Sequence, residues 1–403
     1  MGALDGLKIL DLSQILAGPY CTMVLGDLGA EVIKLEKLNG GDDTRQMGPF
    51  VNGESTSFFQ INRNKKSITV NLKTDEGKEV FYRLAKEVDV IVENYRPGVA
   101  ASLKIGYEDV KKINPGIIYC SISGYGQTGP YSHKGGFDLV AQGMSGIMSM
   151  TGEKGGRPLK SGVAVYDIGA GITAAYAILA AYVHKLKTGK GQHVDLSLAE
   201  IGLPWFAWEA AAYFANGTIP TATGHRHRAL APYQAFRTKD SYFMLGCGNQ
   251  RNWEKFCIDV IDRPGWIRDP RFIDNKMRIE NIEILEKEIE NVLIEHDSKY
   301  WIERCEKAGV PAGPINNFDE AMNDPHYLAR DMIQEVEHPV IGKMKMVGIP
   351  TKLSETPGEI RSASPVLGQH TVEVLSSIGY TEEELKKLEE TQVIGKANID
   401  GKL

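Results

Sequence analysis

The sequence predicts an α/β protein: a large domain on a mostly parallel sheet, with a smaller α+β domain beside it. Three observations predict it. Over the first ~200 residues, short apolar runs rich in Val, Ile and Leu alternate with helix signals, as in parallel strands crossed by helices. Past about residue 225 the alternation gives way to amphipathic helices. After about residue 330, strand-like segments return and two further helices follow.

The elements follow in order. Lys8–Leu12 reads as a strand. Ala17-Gly18-Pro19 opens a helix, with Pro19 suited to its first position, and Gly29 stops it. Glu31–Glu36 is the next strand, completing a unit expected to be parallel and right-handed. The turn carries only Ala17-Gly18-Pro19 in place of G-x-G-x-x-G, so nicotinamide chemistry is disfavoured, although Glu36 stands where a ribose-binding acid would. Ser67–Leu72 is a strand, and Thr74 caps a helix through Leu84. Val90–Val92 is a strand ending at Glu93–Gly98, Tyr107–Ile113 a short helix, and Ile117–Ile122 a strand. A long helix runs from about Asp167 to Lys187 and stops at Thr188-Gly189-Lys190-Gly191. Val194, Leu196 and Leu198 alternate as a strand. Further on, Tyr242–Leu245 is a strand and helices fall near 252–261, 278–294 and 298–307. Strands at Val336–Val340 and Met344–Ile349 precede helices at 371–377 and 381–389.

A chain of 403 residues can bury a large core and is expected to form two domains. The net charge of −6 argues against general nucleic-acid binding but leaves room for a local basic site. Five scattered cysteines, Cys21, Cys120, Cys247, Cys257 and Cys305, show no metal-type spacing and read as reduced thiols in a cytoplasm. Met1–Asp5 opens no signal peptide, and residues 168–183 are too short and too rich in Gly and Ala for a membrane span. No membrane contact is therefore expected.

In a parallel sheet, ligands bind beyond the carboxyl ends of the strands. That rule points to Gln14–Ala17, Lys37, Asn94–Gly98 and Ser123–Tyr125. Asp167 has two readings. It is an N-cap for the long helix, or it is a carboxylate kept charged by the helix end, with Gly169 and Gly171 clearing space beside it, able to attack an acyl group. Asn62-Arg63-Asn64-Lys65-Lys66, with Lys73, is either a solvated turn or a grip on phosphates. The glycine-rich loop Gly124–Pro130 is either a plain connection or a close approach of backbone to ligand. His225-Arg226-His227-Arg228 makes a poor zinc site and reads as a surface or anion-facing loop. No nucleophile elbow, phosphate-binding P-loop or Cys/His pair is present.

Taken together, a series of short stretches resembles the class III CoA-transferases. They are Leu4–Asp11, Ala17-Gly18-Pro19, Gly29–Glu36, Asn64–Ile68, Glu93–Gly98, Gly124-Tyr125-Gly126, Gly136-Phe137-Asp138, Asp167, Thr188–Gln192 and Gly309-Val310-Pro311. The resemblance implies a Rossmann-like large domain from both chain ends (1–200 and 330–403), a linker (201–224) and a small domain (225–325). It also implies ring-shaped subunits in an interlocked homodimer. Asp167 would be the nucleophile, and CoA would lie along Gln14, Ile15, Ala17, Lys37, Val70, Lys73, Asn94, Tyr95, Lys104 and Leu198. Lys37 and Lys104 stand where the formyl-CoA enzymes carry arginines, Leu16 where they carry Gln, and their glycine-rich lid before Tyr242 is absent.

The implied activity moves CoA from an acyl-CoA thioester to a small carboxylic acid through mixed anhydrides and an aspartyl-CoA thioester. Oxyanion donors are expected in the backbone of Gln14–Ala17 and the small residues near Gly136. No metal and no permanently bound cofactor is expected; the CoA thioester is substrate. The competing activity is that of the related 2-methylacyl-CoA racemases, which place a proton-carrying His where this chain has Phe137. Arg226, Arg228 and Arg237 are candidates for meeting a second carboxylate.

Overall fold

The computed structural model describes residues 2–397; residue 1 and residues 398–403, the extremes of the expected large domain, lie outside the described residues. The chain forms two compact units. The first comprises Met1–Ser145, Ser161–Ala211 and Pro325–Leu403, the second Gly146–Lys160 and Ala212–Asp324. The stretch expected as a linker carries a helix, Ala207–Asn216, and residues 146–160 belong with the second unit.

Among the described residues, seven strands build the sheet of the first unit: β1 (Lys8–Asp11), β2 (Glu31–Glu36), β3 (Lys65–Val70), β4 (Val90–Glu93), β5 (Ile118–Ser123), β6 (Gln192–Ser197) and β7 (Ile394–Gly395). Their order is β7-β3-β2-β1-β4-β5-β6, and only β7 runs antiparallel, on β3. Leu10 lies opposite Ile33 on one side and Ile91 on the other. Central strands are buried on both faces, which is why β4 and β5 are mostly apolar and every residue in them is covered. At the edge, β6 is largely exposed, with Val194, Leu196 and Ser197 covered. Leu198 leaves that strand and opens the helix Leu198–Ile201, because the Ser197 hydroxyl accepts from the Glu200 N–H (3.2 Å) and caps it.

The order turns back between β1 and β4, and a crevice opens there beyond the strand ends. Three helices matter to it: α1 (Ala17–Asp27), α2 (Asp138–Ser145) and α3 (Val165–Thr188). Pro19 is the third residue of α1, where its missing N–H is still one of the helix's unpaired donors. Gly189 ends α3 at φ 72° with its N–H on the Lys185 carbonyl (2.7 Å). Gly171 lets α3 cross closely over α1: a Cβ there would stand 2.7 Å from the Ala17 carbonyl oxygen. Ala170, Ala174, Ala175 and Ile178 are buried on the same helix.

The main core of this unit gathers Leu10, Ile68, Phe81, Leu84, Ile91 and Tyr119 with Leu375 and Ile394 from the chain end. The hairpin Ile333–His338 and Gly342–Val347 turns earlier than its apolar pattern indicates, because His338 Nδ1 accepts from the N–H groups of Val340 and Ile341. The second unit has an antiparallel sheet of Tyr233–Arg237, Tyr242–Gly246 and Ala312–Pro314. Its core is aromatic, with Phe236, Phe243, Trp253, Phe256, Phe272 and Trp301. The helix expected over 278–294 is two, Asn275–Glu280 and Ile282–Leu293, broken at Asn281.

Candidate active site

Asp167 is the third residue of α3 and not its cap; Ala164 holds the cap position without a side-chain bond. The cap is supplied from outside. Asp138 Oδ1 accepts from the backbone N–H groups of Tyr166 (2.8 Å) and Asp167 (3.4 Å). Asp138 Oδ2 accepts from Gln142 Nε2 (2.6 Å), and Gln142 Oε1 accepts from Ser161 N–H (2.8 Å). The Asp167 side chain is thus freed from capping. It is half-buried, and burial first, then the charge of Asp138, pushes its carboxyl up to about 6. The neighbouring glycines do not leave open space. A Cβ on Gly169 would strike the Trp205 ring at 2.4 Å, and Gly171 faces the α1 backbone.

The two loops at the crevice are locked together. Gln14 N–H donates to Asn94 Oδ1 (2.8 Å) and Asn94 Nδ2 donates to the Gln14 carbonyl (2.7 Å). Glu93, buried at the end of β4 with its carboxyl pushed up to about 7 by burial, accepts from Tyr95 N–H (2.7 Å). Ile15 takes φ 70°, a left-handed conformation costing a β-branched residue about 1–3 kcal/mol. It is held there from both sides. Its N–H donates to Asp42 Oδ1 (3.0 Å), and its carbonyl accepts from the Thr44 hydroxyl (3.1 Å). Asp42 in turn pairs with the buried Lys34 (2.9 Å), whose ammonium also reaches the Ser13 carbonyl (2.8 Å). With Gln14 and Ile15 engaged, the N–H groups of Leu16 and Ala17 are left without an acceptor among the described residues. On the facing side, Gly124 and Gly136 touch backbone to backbone; a Cβ on either would lie 2.6 Å from the other's Cα.

Two cavities meet at Gln14 and Tyr95. The smaller, about 260 Å³, is lined by Gln14–Ala17, Asn94–Pro97, Ile122–Gly124, Lys134–Phe137, Asp167 and Leu198. The larger, about 860 Å³, includes Lys37, Val70, Lys73, Tyr95, Leu103 and Ile394 in its wall. Of the residues expected along CoA, Gln14, Ile15, Ala17, Asn94, Tyr95 and Leu198 line the smaller cavity, and Lys37, Val70 and Lys73 the larger. Lys104 lines neither; its carbonyl accepts from the Tyr82 hydroxyl, and its neighbour Leu103 reaches the larger cavity instead. The Lys37 ammonium pairs with Asp43, while the exposed Lys73 ammonium meets no acid among the described residues.

The basic stretch at 62–66 is neither a solvated turn nor a phosphate grip. Arg63 is buried and forks onto Asp27 (2.8 and 2.7 Å), and Asn64 bonds the same carboxylate (2.9 Å). Lys65 is buried against Asp11 (2.9 Å) and carbonyl oxygens of its neighbours, and burial lowers its ammonium to about 8 against that pull. Burial alone would raise Asp11; Lys34 and Lys65 hold it well below the usual carboxylate range. Lys66 pairs with Glu31 and Glu373. Glu36 is similarly spent on Arg45 and Ser67 and is not a ribose acceptor. In the second unit, Arg226 is held by Glu286 (2.6 Å). Among the residues with a part in the site, sequence reasoning gave no role to Asp138, Asp42 and Thr44. Their signal is weak, because each acts through backbone groups distant in sequence.

Known proteins resemble this chain over most of its length. A family model described as CoA-transferase family III matches residues 4–371. The succinyl-CoA:glutarate CoA-transferase of Homo sapiens is 42% identical over 376 residues, covering 93% of this chain and 86% of that protein. The acetyl-CoA:oxalate CoA-transferase of Acetobacter aceti is 39% identical over 354 residues, covering 88% of this chain and 90% of that protein. The crystal structure of a CAIB/BAIF family protein from Brucella suis superposes with a TM-score of 0.84 at 37% identity, covering 94% of this chain and 99% of that one.

Proposed function

We propose, for a chain that belongs to CoA-transferase family III, that Asp167 carries CoA between an acyl thioester and a carboxylic acid. The observation that carries this reading is that Asp167 is the sole carboxylate among the described residues lining the cavity at the sheet's switch point. With a pKa of about 6 it is mostly ionised at neutral pH, yet poorly solvated, which suits a carboxylate nucleophile. Its Oδ attacks the thioester carbonyl; the C–S bond breaks, leaving a mixed anhydride and CoA thiolate. The thiolate attacks the aspartyl carbonyl, the donor acid leaves as carboxylate, and an Asp167–CoA thioester remains. The acceptor carboxylate attacks that thioester, again releasing thiolate, which then takes the acceptor acyl group from the anhydride and restores Asp167. No proton is gained or lost.

The oxyanions need donors, and the unpaired N–H groups of Leu16 and Ala17 at the positive end of α1 are suited to the task. CoA is read along the larger cavity, with its thioester reaching past Tyr95 towards Asp167. The relatives act, by their names, on glutarate, succinyl-CoA and oxalate, so the reading extends to short dicarboxylic acids here. A second copy is read as the partner. The large unit leaves Ile172, Tyr176 and Leu186 of α3 exposed at 52%, 62% and 68%.

Asp167→Asn tests the aspartyl step. Incubating the wild type with an acyl-CoA and hydroxylamine, without acceptor, is expected to leave a hydroxamate on Asp167, read by mass on the peptide spanning 161–185. The Asn variant is expected to fold normally, form no adduct and lose at least 10³-fold in turnover, since an amide cannot form the anhydride. Turnover above a few per cent of wild type, with deamidation excluded, removes Asp167 from the mechanism.

A further inference from the structure

The cavity beside Asp167 holds more positive charge than one reacting carboxylate requires. Arg96 and Lys134 both line it, against the single carboxylate of Asp167. Arg96 sits in the turn after β4. Its guanidinium rests on Gly135: a Cβ built there would stand 3.2 Å from Nη2, 3.4 Å from Cζ and 3.6 Å from Nε. The fork is therefore supported on a side-chain-free surface. Two buried arginines of the large unit are committed, Arg45 to Glu36 and Arg63 to Asp27. Arg96 has no acidic partner among the described residues, and Lys134 has only the face of Tyr131, 3.9 Å from its ammonium. Both cations line the same cavity as Asp167, so a ligand reacting there can present a second charged group to them.

We propose that Arg96, assisted by Lys134, binds the distal carboxylate of a dicarboxylic acyl group while the other carboxyl reacts at Asp167. The inference rests on the aspartyl reading above. A guanidinium fork matches a carboxylate with two parallel hydrogen bonds. A monoacid of the same length leaves that fork unpaired, so the residue discriminates by the second charge and not by chain length. The larger cavity has its own cations, Lys37 and Lys73, for the phosphates of CoA.

The test compares succinyl-CoA with butyryl-CoA, which share a four-carbon chain and differ in the distal carboxylate. Wild type, Arg96→Gln, Arg96→Lys and Lys134→Gln would each be scored twice: by the rate of hydroxamate formation on Asp167, and by steady-state CoA transfer. Arg96 is exposed, so its replacement is not expected to affect folding, and the butyryl-CoA rate is the internal control. Wild type is expected to prefer succinyl-CoA. Arg96→Gln is expected to lose about 10²-fold with succinyl-CoA and no more than about threefold with butyryl-CoA, as befits a charge-assisted hydrogen bond. Arg96→Lys should fall between, and Lys134→Gln should lose less than Arg96→Gln. A wild type without preference, or an equal loss with both thioesters, overturns the proposal. The two readings fail separately. If no hydroxamate forms but steady-state selectivity collapses in Arg96→Gln, the aspartyl step is wrong and Arg96 keeps its role.

Discussion

At the scale of single residues, the site depends on a division of labour between two aspartates. Asp138 does the capping, which leaves the Asp167 carboxylate free for the nucleophilic role proposed and at the same time beside a second negative charge. This has a pH signature. Because the folded pKa of Asp167 lies above the ordinary 3.8, the native state binds its proton first as pH falls. Activity on acyl-CoA is expected to drop as pH falls through about 6. Asp138→Asn should move that limb to lower pH, since it removes a like charge, while slowing turnover because the first turn of α3 loses its anionic acceptor. The stability effect has the opposite sign from that of a salt-bridged acid. Between about pH 4 and pH 6 the contribution of Asp167 to stability falls as pH rises, because charging it is harder in the folded state. Asp167→Asn is expected to be more stable than wild type above pH 6, by about 1 kcal/mol for a half-buried group, and equal to it below pH 4. Denaturant titrations at pH 4 and pH 7.5 check this; equal stability at both would show that Asp167 carries no burial penalty.

At the scale of elements, the crevice is a junction of loops made stiff by buried charge. The turn after β1 holds Ile15 at positive φ only because Asp42 and Thr44 grip its N–H and carbonyl. Lys34, Asp11 and Lys65 anchor that grip under the sheet end. The same turn presents the free N–H groups of Leu16 and Ala17. Thr44→Val is therefore expected to lower kcat about tenfold with little change in the KM for acyl-CoA, because misplaced oxyanion donors affect the transition state more than binding. Adding Ile15→Gly should restore part of kcat, since glycine reaches φ 70° without the side-chain penalty. Kinetics of the single and double variants decide it, and an Ile15→Gly that deepens the defect refutes the strain argument.

At the scale of the whole molecule, the exposed apolar residues along α3 call for a cover. Exposed apolar side chains along one helix suit an interface. The proposed cover is a second copy, in the interlocked arrangement. Linked chains cannot part while folded. Loss of the dimer and loss of helicity are then expected to coincide in denaturant, at a midpoint that rises with protein concentration. Light scattering and circular dichroism on one titration series check it. A folded monomer on dilution would rule out interlocking.

What the sequence determined by itself is the periodic part. Apolar runs such as Val90–Glu93 and Ile118–Ser123 must be buried, and alternation with helices makes them parallel strands. Capping by Thr74 and Gly189 is also local chemistry, and both helix ends lie where those residues stand. The ordered motifs, Asp167 among them, carried the family. What the tertiary structure alone decided is the partnering of polar groups. Arg63, Lys65 and Glu36 look like ligand-binding residues in a string of letters, but Asp27, Asp11 and Arg45 claim them across the fold. Asp167 looks like a cap, but Asp138, from another helix, takes that work. Hydrophobic burial follows from a residue's own period in the chain. A hydrogen bond or an ion pair depends on what stands opposite, and that is settled only when distant segments meet.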